Sequence, residues 1–372
     1  MNAVRWDEPR NARQYAFLPD PFRMHNGGAL LGARIAYETW GSLNAARDNA
    51  ILLFTGLSPS PHAASSLLDP SDGWWEGMIG PGKAIDTQRW FVICVNSLGS
   101  CFGSTGPASQ NPIDATPYRL RFPELAVEDI ARAGHETLRT LGIERLAAVV
   151  GPSLGGMVVL AFAAQFPGVA RRLVSISGTM AASPVAIALR SVQREAVVRD
   201  PEWKGGEYAF EQPPRNGLTI ARKLGTITYR SAAEWNDRFG RIPASVARSA
   251  AGPFAPRFAI ESYLEAQAEK FVRAFDANSY LYLSRAMDRF DLAAHGTPAQ
   301  LFKRAALDAA LVIGVDTDML FPVTEQAAIA RHLERAGVAT TLLQAKSREG
   351  HDAFLIDLET FGKAIGEFLN AR

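Results

Sequence analysis

The sequence predicts an α/β protein, built on a mostly parallel sheet with helices on both faces, and three observations predict it. Short apolar runs bounded by turn residues recur at 51–54, 91–95, 147–150 and 173–176. Helix-like stretches at 125–141 and 154–166 separate the last three of these runs. The same rhythm returns after a long gap, with apolar runs at 310–315 and 338–343, a helix-like stretch at 324–336 between them, and an amphipathic helix at about 354–369.

The gap is the third observation. From about 183 to 292 no buried strand run is visible, and charged helix-like stretches such as 188–198 and 260–275 alternate with Gly- and Pro-bearing loops. A helical insertion between two parts of one sheet explains this economically. The expected organisation is a core of 1–182 and 293–372 with a helical lid at 183–292. A chain of 372 residues, 47% of them apolar, suits one such core with a large insertion.

The bulk numbers exclude several classes. A formal net charge of +1 provides no electrostatic footprint for nucleic acid or anionic lipid. The first residues lack a basic region followed by an apolar run, and nothing approaches the roughly 20 apolar residues of a membrane span. The expectation is therefore a cytoplasmic protein with no nucleic-acid or membrane partner. Two cysteines, Cys94 and Cys101, cannot make a disulfide framework, and Cys94 sits in an apolar run as a small buried hydrophobe would. No CxxC or HExxH spacing suggests a metal, and none is expected.

The strongest local signal is Gly151-Pro152-Ser153-Leu154-Gly155-Gly156, a G-x-S-x-G motif between an apolar strand and a helix-forming run. Small residues are needed there because the chain reverses sharply and leaves the serine Oγ exposed on a strained turn. The motif demands an acid after a later strand, then a histidine. Asp316 and Asp318 follow the run ending at Val315, and His351 follows the run at 338–343. Of six histidines only His332 and His351 come after the candidate acids, and His332 lies among Arg331, Glu334 and Arg335 on a solvated helix face. Ser153 is thus the expected nucleophile and His351 its base, oriented by an aspartate. The oxyanion donors should be the amides of Leu154 and of a residue near Leu57.

Several longer stretches carry more than this generic chemistry. They are Leu57-Ser58-Pro59-Ser60-Pro61-His62, the run from Gly73-Trp74-Trp75-Glu76-Gly77 to Asp86-Thr87, Asn96-Ser97-Leu98-Gly99-Ser100-Cys101, Ala221-Arg222-Lys223-Leu224-Gly225 through Tyr229-Arg230-Ser231, and Asp276-Ala277-Asn278-Ser279-Tyr280. Together they resemble the homoserine O-acetyltransferase family of the α/β-hydrolase superfamily, especially its serine O-succinyltransferase branch, over about 28–368. Leu57-Ser58-Pro59 in place of Leu-Thr-Gly, Leu154 in place of Met, and the serines at 97 and 100 point to the serine-acylating branch.

The resemblance implies an α/β-hydrolase fold and a homodimer built through the lid helices. It implies ping-pong transfer of an acyl group from acyl-CoA, a co-substrate and not a bound cofactor, to the side-chain hydroxyl of an amino acid in cysteine or methionine synthesis. Asp318 in Asp-x-Leu-Phe-Pro matches the triad acid, Arg222 and Tyr229 match residues that bind the amino acid, and Asp352 matches the holder of its ammonium. By themselves Arg222 reads equally as a surface ion-pair residue and Asp352 as a helix N-cap. The expected donor is succinyl-CoA and the acceptor L-serine, with acetyl-CoA and homoserine as the alternative and an esterase or thioesterase as a remoter one. A non-catalytic binding module on this fold is disfavoured by the intact Ser-Asp-His order.

Overall fold

The computed structural model describes residues 12–244 and 254–371. Among them, one sheet organises the chain, from strands β1 (Gln14–Phe17), β2 (Arg34–Trp40), β3 (Ala50–Phe54), β4 (Phe91–Val95), β5 (Ala148–Pro152), β6 (Arg172–Ile176), β7 (Ala309–Val315) and β8 (Ala339–Ala345). Their spatial order is β1-β2-β4-β3-β5-β6-β7-β8. Strands β4 to β8 and β3 pair in parallel, while β2 runs antiparallel to both β1 and β4. The two antiparallel strands are absent from the sequence reading because Gln14–Phe17 is short and the charged but buried Glu38 breaks the apolar pattern of Arg34–Trp40.

Strand β3, Ala-Ile-Leu-Leu-Phe, is buried at every residue, as a central strand covered on both faces must be. Its side chains divide by period two. Leu52 and Phe54 enter one apolar layer with helices α1 (Val127–Thr140) and α2 (Leu154–Gln165). Ile51 and Leu53 enter the other, where Phe361, Ile365 and Leu369 of the final helix pack. Helix α2 is apolar all round and buried from Leu154 to Ala163, so it is fixed on every side.

Between β6 and β7 the chain forms α3 (Pro184–Val198), α4 (Arg215–Tyr229), α5 (Ala232–Arg238), α6 (Ala259–Ala274) and α7 (Ala277–Arg289), and no strand of the main sheet lies there among the described residues. Ser183 and Asp276 cap α3 and α7 with their side chains. Val197, Leu218, Phe271 and Tyr280 join the same apolar layer as α1 and α2, so the inserted helices are seated on the core. The chain returns through α8 (Pro298–Ala305) to β7, and α9 (Val323–Arg335) links β7 to β8. The single terminal helix expected at about 354–369 is instead two, α10 (Ala353–Ile356) and α11 (Leu358–Asn370). Asp357 parts them by capping the second through the Thr360 amide. No helix among the described residues is long and apolar enough to cross a membrane.

Helix α2 approaches β3 so closely that a Cβ on Gly155 would lie 2.5 Å from the Phe54 carbonyl oxygen. Backbone cannot yield as a side-chain tip can. Gly155→Ala should therefore lower the unfolding free energy by about 3 kcal/mol, outweighing the gain in helix propensity of at most about 1 kcal/mol. The urea midpoint checks it.

Candidate active site

Strand β5 ends at Pro152 and α2 begins at Leu154, leaving Ser153 alone to turn the chain. Its backbone takes φ 58° and ψ −120°, a conformation rarely adopted by a residue with a side chain. The neighbours enforce it. A Cβ on Gly151 would lie 2.2 Å from the Gly155 oxygen, and one on Gly156 would lie 2.9 Å from Gly178 Cα. The Ser153 amide donates to the Ile176 carbonyl at 2.8 Å, tying the turn to the end of β6.

His351 sits in the short 3-10 turn Gly350–Asp352, and its Nε2 lies 2.8 Å from Ser153 Oγ. Its Nδ1 lies 2.7 Å from Asp318 Oδ2. The other carboxylate oxygen of Asp318 accepts the amides of Leu320 and Phe321, both at 2.9 Å, so the acid cannot swing away. Asp316, the other acid in sequence range, is exposed and accepts the Ser347 amide. Phe321 stacks on the imidazole at 5.1 Å, and Tyr229 and Phe354 stand 5.8 and 6.1 Å from it. Tautomer and ring plane are thereby both fixed.

The two amides expected to hold an oxyanion can be placed as well. A Cβ placed on Gly56 would be 3.8 Å from Ser153 Cβ, which puts the following residue, Leu57, beside the nucleophile. Among the described residues neither the Leu57 nor the Leu154 amide donates to another backbone carbonyl. Both are available to an oxyanion on a carbonyl attacked by Ser153.

Leu57 and Ser153 line a narrow cavity with Arg190, Gln193, Tyr229 and Tyr280. Arg190, on α3, is 4% exposed, and sequence reasoning missed it. Its Nε donates to Asp288 Oδ1 at 2.5 Å, while both Nη atoms are buried without a hydrogen-bond partner among the described residues. Asp288 is shared, since Arg194 Nη2 reaches its Oδ2 at 2.5 Å. Two guanidinium groups thus divide one carboxylate behind the cavity wall. Arg190 shows no sequence signal beyond its place on an amphipathic helix.

The other expected residues fall nearby but unequally. Tyr229 lines the cavity, and burial raises its hydroxyl pKa. Arg222 is not among the side chains lining it. Its guanidinium packs over Tyr229 and Phe271, 5.6 and 4.7 Å from their centroids, with Nε buried and unpartnered. It makes no surface ion pair among the described residues. Asp352 occupies the N-cap position of α10 without capping it, and its Oδ2 is 3.2 Å from Arg230 Nε. Arg230, also missed, joins Glu349 at 2.8 Å. Burial raises the Asp352 pKa against the opposing pull of Arg230.

The comparisons with known proteins fit this geometry. Residues 49–358 match the profile of the alpha/beta hydrolase fold. The chain is 55% identical to a serine O-succinyltransferase of Litchfieldella anticariensis, over 96% of this chain and 98% of that one. It is also 55% identical to an L-serine/homoserine O-acetyltransferase of Streptomyces lavendulae, over 96% and 97%. Among solved structures, homoserine O-acetyltransferase from Bacillus anthracis aligns with a TM-score of 0.88 at 29% identity, covering 97% of this chain and 98% of that one. Esterase E22 aligns at 0.86 and 29%, covering 96% and 99%.

The electrostatics of His351 set a pH dependence. Burial alone pushes its pKa down, but the Asp318 carboxylate more than reverses this and leaves it above the usual 6.5. Only the neutral ring accepts the Ser153 proton. Activity should fall as pH drops through that raised value, and pH profiles of kcat/KM should place the acid limb above 6.5. Asp318→Asn should move the limb downward, and it should cost on the order of 10⁴-fold in kcat.

Proposed function

The chain belongs to the homoserine O-acetyltransferase family of the α/β-hydrolase superfamily and is an acyltransferase, and from that premise we propose that it carries succinyl from succinyl-CoA to the side-chain hydroxyl of L-serine. The observation that carries the choice of succinyl is Arg190. Arg190 lines the cavity that holds Ser153, its two buried Nη groups have no hydrogen-bond partner among the described residues, and a planar guanidinium binds a carboxylate through two parallel hydrogen bonds. An acetyl group would leave them without a partner.

Ser153 Oγ attacks the thioester carbonyl while His351 Nε2 takes its proton, and Leu57 and Leu154 amides hold the oxyanion. The C–S bond breaks, His351 returns the proton to the thiolate, and CoA leaves. The serine hydroxyl then attacks the acyl-enzyme, its proton passing to His351 and on to Ser153 Oγ as the ester is released. Arg222 and Tyr229 would receive the amino acid's carboxylate. Asp352, held by Arg230 at Oδ2, would turn Oδ1 to its ammonium. The helices from α3 to α7 act as a lid that keeps water from the acyl-enzyme. Exposed apolar pairs one heptad apart, Val185 and Val192 on α3 and Ile220 and Ile227 on α4, would meet a second copy in a homodimer. The product enters cysteine synthesis.

A second reading, acetyl transfer to serine or homoserine, is favoured by the name and equal identity of the Streptomyces lavendulae relative. The test is purified enzyme with succinyl-CoA or acetyl-CoA and L-serine or L-homoserine in all four pairings, following thiol release and product mass. Dominant O-succinylserine supports the proposal, and dominant acetyl product supports the second reading. Thiol release indifferent to the amino acid, yielding only free acid, would sink both.

Arg190→Met removes the charge and keeps most of the volume. It should lower kcat/KM for succinyl-CoA by about 10- to 100-fold, the worth of a charged hydrogen-bond pair. Residual acetyl-CoA turnover, changed far less, serves as the check on folding.

A further inference from the structure

We propose that His25, Glu128 and His295 form a binding site for a divalent transition-metal ion of the zinc class, separate from the acyl-transfer centre. One ligand atom from each of the three lies within 4.8 Å of the other two. No spacing motif could announce the set, since its members come from the segment before β2, the first turn of α1, and the turn Leu292–His295 that leads from the insertion back to the core. The cavity they share, with Asn26, Asp291 and Arg289 in its wall, has no lining residue in common with the cavity over Ser153.

The donor set suits such an ion. Two imidazole nitrogens and one carboxylate oxygen match zinc and its neighbours, whereas calcium and magnesium take oxygen donors. Glu128 is largely buried, its side chain 8% exposed, and its Oε1 accepts from or faces His295 Nε2 at 2.7 Å. That pair is complete without His25, yet the His25 ring stands 5.4 Å from the His295 ring, edge to face. Bonds near 2.1 Å set tetrahedral ligands about 3.4 Å apart. The Glu128–His295 contact opens slightly to that distance, and His25 closes by side-chain rotation. The open side of the cavity leaves the fourth position to water.

Each ligand is held on a backbone fixed by other bonds. The His25 amide donates to Asp129 Oδ1 at 2.7 Å, and Asp129 Oδ2 accepts the Ala126 amide at 3.0 Å. The Glu128 carbonyl accepts Gln165 Nε2 at 3.2 Å, linking α1 to α2. Asp291 Oδ1 caps the turn of His295 through the Ala293 amide at 2.9 Å. Arg289, the nearest competing cation in the wall, is ion-paired with Glu124. An ion bound here would staple the N-terminal segment, α1 and the exit of the insertion together, a structural role and not a catalytic one.

The test uses the full chain freed of metal by chelator and dialysis. Calorimetric titration with Zn²⁺ should show one saturable equivalent per chain, with a raised melting temperature, and Co²⁺ should give the visible bands of a tetrahedral site. His25→Ala and His295→Ala, both at exposed residues, should each abolish the equivalent and the thermal shift while leaving acyl transfer at ambient temperature unchanged. Glu128→Gln, which keeps a hydrogen bond to His295, should weaken binding without unfolding the chain. Absence of saturable binding overturns the proposal. So does an equivalent that survives in both histidine variants, which would assign it elsewhere, for instance to His351.

Discussion

The strained backbone at Ser153 is the constraint on which the rest of the site depends. A left-handed conformation costs a residue with a side chain on the order of 1–3 kcal/mol, and it persists only where the surroundings permit nothing else. Gly151 and Gly156 leave no space for a Cβ, the Ser153 amide is bonded to Ile176, and α2 is buried on every side. With that geometry fixed, Oγ faces His351 and the Leu154 amide opens a helix toward the reacting carbon. Relaxing the turn would misplace all of these at once, because each is positioned relative to one backbone.

Much of this was legible in the sequence, for reasons that differ from element to element. Parallel strands buried on both faces are continuous apolar runs, so β3 to β7 announced themselves, while β8, a half-exposed edge strand with the sequence Ala-Thr-Thr-Leu-Leu-Gln-Ala, showed only through the short run ending at Leu343. The turn at Ser153 was legible because only small residues fit it. His351 followed from chain order, but order alone left Asp316 and Asp318 equal, and the resemblance separated them. In three dimensions the difference is plain: Asp318 is buried with both oxygens engaged, while Asp316 ties two loops at the surface. Strands β1 and β2 were not legible, one for its length and one because Glu38 interrupts the pattern. That glutamate is buried against His62 at 2.7 Å, a pairing that only the tertiary fold creates. Arg190 was invisible for the same reason. A helical arginine looks solvated until the layer above it is known.

The site therefore divides by origin. Nucleophile, base, acid and oxyanion donors all come from the sheet's loops, whereas Arg190, Gln193, Tyr229 and Tyr280 come from the inserted helices. On the proposed function, the first group carries the acylation of Ser153 and the second selects the donor. Such a division lets one catalytic framework serve esterases and transferases alike, and esterase E22 and a homoserine O-acetyltransferase align with this chain almost equally well over its whole length.

The charge pattern of that second group bears on how choice of acyl group is achieved. Burying a guanidinium without full compensation is costly, and among the described residues Arg190 and Arg194 share Asp288 as their one carboxylate within ion-pair distance. Arg194 also donates to the buried Ser284 Oγ at 2.8 Å, which ties α3 to α7, whereas the Nη groups of Arg190 make no hydrogen bond among the described residues that would explain the charge. A carboxylate entering with the acyl chain would explain it. It would complete the arrangement, and a donor lacking it would leave the surplus charge in place. Discrimination on this reading comes as much from the discomfort of the empty charged corner as from the attraction of the correct ligand, and it requires no change in the triad that does the chemistry.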